Sequence, residues 1–148
     1  MTVYRRRRAW QDALPAFPLS GHCGKPRQTG CTMLIDKSMG LTETRDLLEL
    51  ACDYIDMIKL TFGTSALYPE PLLKEKIKLI RFYGVDVYPG GTLFEIAMWQ
   101  DRLEPFLEQA AQLGFTGIEI SDGTIPLSHQ DRRHAIKKAK SYGFKVVT

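Results

Sequence analysis

Short apolar segments alternate with helix-length periodic segments from Thr32 onward, and this alternation constrains the fold more than any other feature of the chain. Five strands are predicted, at residues 32–36, 54–60, 85–88, 117–121 and 144–147. Four helices are predicted between them: residues 42–51, a helix from Pro69 to Gly84, one that ends at Gly114, and one from Ser128 to Gly143. A series of strands and helices in this order predicts a parallel sheet with right-handed crossovers.

Two architectures fit such a series, a doubly wound sheet and a (β/α)8 barrel of the TIM type. The first four strands each end in polar or glycine-rich residues, and chemistry at the carboxyl ends of successive strands favours the barrel. A barrel of eight strands needs about 250 residues, whereas this chain has 148. We therefore expect the first five strands and four helices of a truncated barrel, with residues 1–24 as a poorly structured leader and residues 25–148 as the barrel portion.

Composition and charge exclude several classes of function. The net charge is only +3 and four of the arginines form one run, Arg5 to Arg8, so nucleic-acid binding has little support. No segment approaches the roughly 20 apolar residues that span a bilayer.

Three cysteines at irregular spacing predict a reduced, cytoplasmic chain, in which Cys31 and Cys52 are small buried residues. A half barrel leaves strand edges unpaired, so a homo-oligomer is also expected.

Glycine-threonine pairs recur after three of the predicted strands. They lie in the segments Gly63-Thr64-Ser65, Gly90-Gly91-Thr92 and Gly123-Thr124. Glycine lets the backbone approach a ligand closely, and free N–H groups at a helix start favour anions. Three such loops along one rim predict a small substrate with several acidic groups, unless they are ordinary turns with N-caps.

Charged side chains are predicted on the barrel-facing side of two strands. Alternation places Lys59 on one face of the second strand, and it places Glu119 and Ser121 inward on the fourth strand, next to Asp122. A carboxylate at this position suits Mg²⁺, with waters and substrate oxygens completing the shell. A Glu119–Lys59 ion pair without metal is the alternative. Glu95 and Asp36 are weaker candidates, and His129 and His134 are expected on a helix surface.

Four segments in order resemble the phosphosulfolactate synthase family: KPRQTGCTMLIDKSMG (25–40), DYIDMIKLTFGTS (53–65), DVYPGGTLFEIA (86–97) and GIEISDGTIPL (117–127). The resemblance implies a (β/α)8 barrel lyase that adds sulfite to phosphoenolpyruvate in a Mg²⁺-dependent reaction, giving (2R)-phospho-3-sulfolactate for coenzyme M or sulfolactate biosynthesis. It implies that Glu119 and Asp122 hold Mg²⁺ and that Lys59 neutralises charge or acts as the acid. Lys25 and Arg27 would bind phosphate or sulfite, and the glycine loops, with Ser121, would hold oxyanions.

Two other functions remain open from the sequence. A plant branch of the same family comprises heat-stress-associated proteins, and membership in that branch would imply a protective, non-catalytic role. A barrel aldolase that uses Lys59 as a Schiff-base nucleophile is the third possibility, and borohydride trapping with a keto acid would separate it from sulfite addition.

Overall fold

The computed structural model describes residues 7–15 and 24–148, which form one α/β unit. The strands are β1 (Met33–Asp36), β2 (Met57–Leu60), β3 (Asp86–Pro89), β4 (Gly117–Glu119) and β5 (Lys145–Val147). The helices are α1 (Leu41–Ala51), α2 (Glu70–Phe82), α3 (Gly91–Trp99), α4 (Leu103–Leu113) and α5 (His129–Ser141), with a 3₁₀ helix (Thr61–Leu67) after β2. The alternation of strands and helices that the sequence predicted is confirmed.

The strands lie side by side in their order along the chain. Strands β1, β2 and β3 pair in parallel, and so do β4 and β5. The two groups are joined where the Thr116 N–H donates to the Val87 carbonyl at 2.9 Å and the Thr116 hydroxyl accepts from the Val87 N–H. A doubly wound sheet changes strand order at a switch point, whereas this order is sequential. The described residues are therefore compatible with part of a TIM-type barrel.

The hydrophobic core lies between the sheet and the surrounding helices. Every second strand residue points toward the helices, and Ile58, Leu60, Val87 and Ile118 are almost wholly buried there. Helical apolar stripes cover them, among which Leu48, Ile77, Ile80 and Leu107 are fully buried. The alternate residues of each strand point to the opposite face of the sheet, away from these helices.

The prediction of a single helix between the third and fourth strands is wrong. Two helices, α3 and α4, occupy this segment, so the described chain has five α-helices. The break falls at Asp101, which adopts a left-handed conformation with φ 54°. Pro105 lies in the first turn of α4, where its missing N–H is tolerated, but it could not continue a helix from α3. Strand β2 also begins later than predicted, because residues 52–54 form a turn.

The predicted leader lies partly outside the described residues, which omit 1–6 and 16–23. Within residues 7–15 the Leu14 N–H donates to the Trp10 carbonyl, and the Arg8 guanidinium lies 5.5 Å from the centre of the Tyr54 ring. The prediction that Cys31 is buried is wrong, because it precedes β1 at an exposed position, whereas Cys52 is buried. Cys23 falls outside the described residues. None of the described helices has the length and apolar character needed to cross a bilayer.

Candidate active site

An ion pair lies on the sheet face that points away from the helices, near the carboxyl ends of β2 and β4. The Lys59 ammonium on β2 is 2.7 Å from Glu119 Oε1 on β4. The other carboxylate oxygen, Glu119 Oε2, accepts the Gly91 N–H at the start of α3, also at 2.7 Å. The two charged side chains are 15% and 17% exposed, so solvent reaches both. The predicted orientation of Lys59 and Glu119 is confirmed, and the ion pair that the sequence left as an alternative is present.

Tyr88 shares this face and was missed by the sequence prediction. It is paired with Lys59 in the parallel register of β2 and β3, so the two side chains leave the same side of the sheet. Burial, with a smaller contribution from the charge of Glu119, raises the pKa of Tyr88 to about 12. The phenol is therefore a neutral hydrogen-bond donor over the whole physiological range. The signal was available, because alternation along β3 from Val87 predicts an inward Tyr88.

Glu95, a weak candidate from the sequence, is deeply buried in α3 and only 3% exposed. Its carboxylate accepts the N–H groups of Gly123 at 3.3 Å, Thr124 at 2.6 Å and Ile125 at 2.8 Å, and it accepts the Ser121 hydroxyl. Burial acts to raise the pKa of Glu95, but these hydrogen bonds outweigh it and lower the pKa below its ordinary value. The ionised form thus stabilises the fold above the unfolded pKa of about 4.3, and this contribution is lost as the pH falls through the lower folded value.

Two of the three glycine loops donate to carboxylates of the chain itself. Gly91 donates to Glu119, and the segment 123–125 donates to Glu95. Gly90 is the N-cap of α3 and Thr92 is half-buried beside it. The N–H groups of these loops therefore do face anions, but the observed anions are internal. Their role toward a substrate stays a prediction.

The remaining glycine loop forms part of the 3₁₀ helix after β2. Gly63 has φ 79°, a conformation that favours glycine. Thr64 is half-buried, and Ser65 is buried with no hydrogen-bond partner for its Oγ among the described residues. Ser65 also lines an apolar cleft of about 340 Å³ between α2 and α4. Within residues 7–15 and 24–148, the Ser65 hydroxyl is thus the polar group of this loop without a hydrogen-bond partner.

Lys25 and Arg27 lie near the amino ends of β2 and β3, whereas the Lys59–Glu119 pair lies near the carboxyl ends of the strands. The Arg27 guanidinium is 2.8 Å from Asp56, which directly precedes β2, and the Lys25 ammonium donates to the Gly84 carbonyl before β3. Three residues of strand separate Asp56 from Lys59, about 10 Å. Burial lowers the pKa of Lys25. The structure therefore does not bring Lys25 and Arg27 to the Lys59–Glu119 pair, and it gives Arg27 a structural partner.

Glu119 and Asp122 were predicted to hold a metal, but Asp122 pairs with Arg132 on α5. Asp36, a weaker site candidate, points toward the helices, where it pairs with Lys76. Among residues 7–15 and 24–148, no group of three or more His, Cys, Asp or Glu side chains is placed to hold a metal ion. Glu119 is a hard oxygen ligand of the kind Mg²⁺ takes, and each of its oxygens already accepts one donor. Glu119 is thus the one predicted ligand at the ion pair. His129 and His134 are exposed on α5, as expected.

Gly91 has no room for a side chain. A Cβ at this position would lie 2.7 Å from the Ser121 Cβ and 3.2 Å from the Glu119 carboxyl carbon. Gly91→Ala is expected to lower the free energy of unfolding by about 1–3 kcal/mol through overpacking, and to push Glu119 from Lys59. Thermal unfolding measures this loss. Gly40→Ala is the matched control, because its Cβ would meet nothing closer than 3.9 Å and its φ is −70°; equal losses in both variants would contradict the steric argument.

The sequential parallel strands define the chain as an α/β protein that is compatible with a partial TIM-type fold. The charged pair near the carboxyl ends of β2 and β4 lies where such folds carry their catalytic residues. The sequence profile of (2R)-phospho-3-sulfolactate synthase matches residues 21–148. The chain therefore belongs to the phosphosulfolactate synthase family, and the resemblance drawn from the sequence is confirmed.

Individual relatives agree with this assignment. The chain is 43% identical to a phosphosulfolactate synthase of Methanothermobacter thermautotrophicus over 125 residues, which are 84% of this chain and 48% of the relative. It is also 43% identical to that of Methanocaldococcus jannaschii over 121 residues, 82% of this chain and 48% of the relative. A heat-stress-associated 32 protein of Arabidopsis thaliana is 21% identical over 126 residues, 82% of this chain and 44% of the relative. The chain spans about half the length of these relatives.

Proposed function

We propose that the chain carries part of the catalytic site of a phosphosulfolactate synthase, a lyase that adds sulfite to phosphoenolpyruvate and forms (2R)-phospho-3-sulfolactate. The names of the archaeal relatives support this activity. The observation that carries the proposal is the Lys59–Glu119 pair, which lies at the rim where barrel enzymes act. The product would enter coenzyme M or sulfolactate biosynthesis.

The reaction sets two demands on such a site. The sulfite sulfur would attack the methylene carbon, and the electron pair of the double bond would move toward the substrate carboxylate as an aci-carboxylate. A proton then adds to C2 and completes the product. Both reactants are anions, so cationic groups and N–H donors must offset their repulsion, and an acid must be within reach of C2.

Three of the described residues are the candidates for these roles. The Lys59 ammonium supplies positive charge at the rim, and it is also the candidate donor of the C2 proton. The neutral Tyr88 hydroxyl, on the same face, can donate a hydrogen bond to an oxyanion. Thr64, half-buried in the loop that follows β2, would supply a further donor to a substrate oxygen.

Mg²⁺ remains part of the proposal. Glu119 would hold it, with water and substrate oxygens as further ligands, since Mg²⁺ in proteins commonly has only one or two carboxylate ligands. When bound, the ion would act as a Lewis acid that stabilises negative charge on the substrate carboxylate. Asp122, which pairs with Arg132, would have to leave that partner to contribute.

The test is an assay with sulfite and phosphoenolpyruvate, with and without Mg²⁺. It is run on this chain and on a chimera that joins the chain to the portion of the Methanothermobacter relative that the match does not cover. We expect product from the chimera and dependence on Mg²⁺. No product from a well-folded chimera, while the intact Methanothermobacter enzyme is active beside it, would contradict the proposal.

The two other functions give different results in the same experiment. A non-catalytic protein, as the distant heat-stress-associated relative raises, would yield no product from a folded chimera. A Schiff-base aldolase would be trapped by borohydride with a keto acid.

A further inference from the structure

The segment that follows β4, residues 121–125, folds around a buried carboxylate. Glu95 projects from the second turn of α3 and accepts three consecutive backbone N–H groups from residues 123–125, together with the Ser121 hydroxyl. Among the described residues no lysine, arginine or histidine forms an ion pair with Glu95. A buried carboxylate is costly unless its charge is compensated, so these donors are what makes the position of Glu95 tolerable.

The segment that surrounds Glu95 depends in turn on this carboxylate for its hydrogen bonds. Gly123 and Thr124 are exposed to solvent, and the hydrogen bonds that their N–H groups and that of Ile125 donate go to Glu95. Hydrogen bonds to a charged acceptor are about twice as strong as neutral ones. The exposed segment is therefore held in place by the charge of one side chain on another element.

The same helix also contacts the carboxylate of the ion pair. Gly91 donates to Glu119 and Glu95 accepts from Ser121. Gly91 and Glu95 are four residues apart, so they lie on one face of α3, while Glu119 and Ser121 are two residues apart, so they face the same side of the extended chain. One face of α3 thus contacts Glu119 at the end of β4 and Ser121 two residues beyond it.

We propose that Glu95 is a positioning residue, an internal anion around which residues 121–125 close and which thereby holds Glu119 beside Lys59. The Gly123-Thr124 loop, which the sequence predicts to bind an anion of the substrate, binds the Glu95 carboxylate. The effect on catalysis rests on the proposed function, whereas the closure of the loop around Glu95 does not.

Glu95→Ala, with formate as the probe, tests the proposal in two arms. In the first, residue-resolved hydrogen exchange of the 148-residue chain is measured by NMR. The amides of Thr124 and Ile125 are expected to exchange about ten to a hundred times faster in the variant, while those of Ile58 and Leu60 keep their rates. Formate should restore the slow exchange, because its carboxylate can occupy the vacated position, and neutral formamide should not. Glu95→Gln, which keeps the size of the side chain, serves if the alanine variant does not fold.

The second arm uses the chimera described above, if it forms product. Glu95→Ala is expected to lower kcat with little change in KM, and formate is expected to restore part of kcat. Wild-type exchange rates at Thr124 and Ile125 in the variant, or a loss that formate does not reverse, would overturn the internal-anion role. An unchanged kcat while these amides exchange rapidly would overturn the positioning role. An inactive chimera refutes the proposed function and leaves the exchange arm decisive for the loop.

Discussion

Lys59→Met is expected to lower the rate of sulfite addition by about 10²–10³-fold, the loss that removal of one preorganised donor to a developing oxyanion causes in other enzymes. The fold should survive, because the Lys59 side chain is 15% exposed and Glu119 retains the Gly91 N–H as a partner. The measurement is kcat and kcat/KM in the form of the protein that makes product, together with a thermal unfolding curve.

Two further variants make this result specific. Lys78→Met removes an exposed lysine from α2 and should leave the rate unchanged. Lys59→Arg keeps the positive charge but replaces the amine by a guanidinium that does not release its proton. Partial activity in Lys59→Arg would assign Lys59 to charge neutralisation, and loss equal to that of the methionine variant would assign it to proton donation. Full activity in Lys59→Met, with the protein folded, would remove Lys59 from the mechanism.

Periodicity predicted the fold because the physical causes are local. Strand alternation needs only neighbouring residues, so the buried Ile58 and Leu60 and the inward Lys59 could all be read from one segment. The apolar spacing between β3 and β4 indicates helix but does not mark where a helix begins, so the break at Asp101 between α3 and α4 was not predicted. The strand order that favours the barrel over the doubly wound sheet involves contacts between distant segments, and only the structure shows it.

The candidate site was predictable to the same extent. The inward direction of Lys59 and Glu119 follows from alternation, and the structure brings the two together. What the sequence could not show is which partner each polar group finds. The loop N–H groups at 123–125 have the chemistry of an anion site, yet Glu95, about 30 residues earlier in the chain, satisfies them. Arg27 was predicted to bind phosphate or sulfite, yet it forms an ion pair with Asp56 at the amino end of β2.

A fully buried ion pair, which the sequence did not reveal, lies on the helix side of the sheet. Lys76 of α2 and Asp36 at the end of β1 are 2.5 Å apart, and their side chains are 1% and 0% exposed. The ammonium also donates to the Met39 carbonyl and to the Tyr68 hydroxyl. Asp36 Oδ1 accepts the Met39 N–H at 2.8 Å, and Lys76 is the cation that pairs with this buried carboxylate among the described residues.

Lys76→Met is expected to lower the free energy of unfolding by about 3–5 kcal/mol, because it leaves a buried carboxylate without its cation. Methionine has a similar size and flexibility, so the loss reports charge more than packing. The midpoint of urea unfolding measures it. Lys74→Met is the matched control on the same helix, since Lys74 is about half exposed and its pair with Glu70 lies on the surface, where such pairs contribute about 0–1 kcal/mol.

The charge argument has its own decisive variant. Asp36→Asn in the Lys76→Met background removes the second charge, and the amide that replaces the carboxylate keeps an oxygen that can accept the Met39 N–H. This double variant should recover most of the lost stability, because replacing both charges of a buried pair is close to neutral whereas breaking the pair is costly. If the double variant is no more stable than Lys76→Met, the loss comes from the contacts of Lys76 with Met39 and Tyr68, and the buried charge of Asp36 is not its cause.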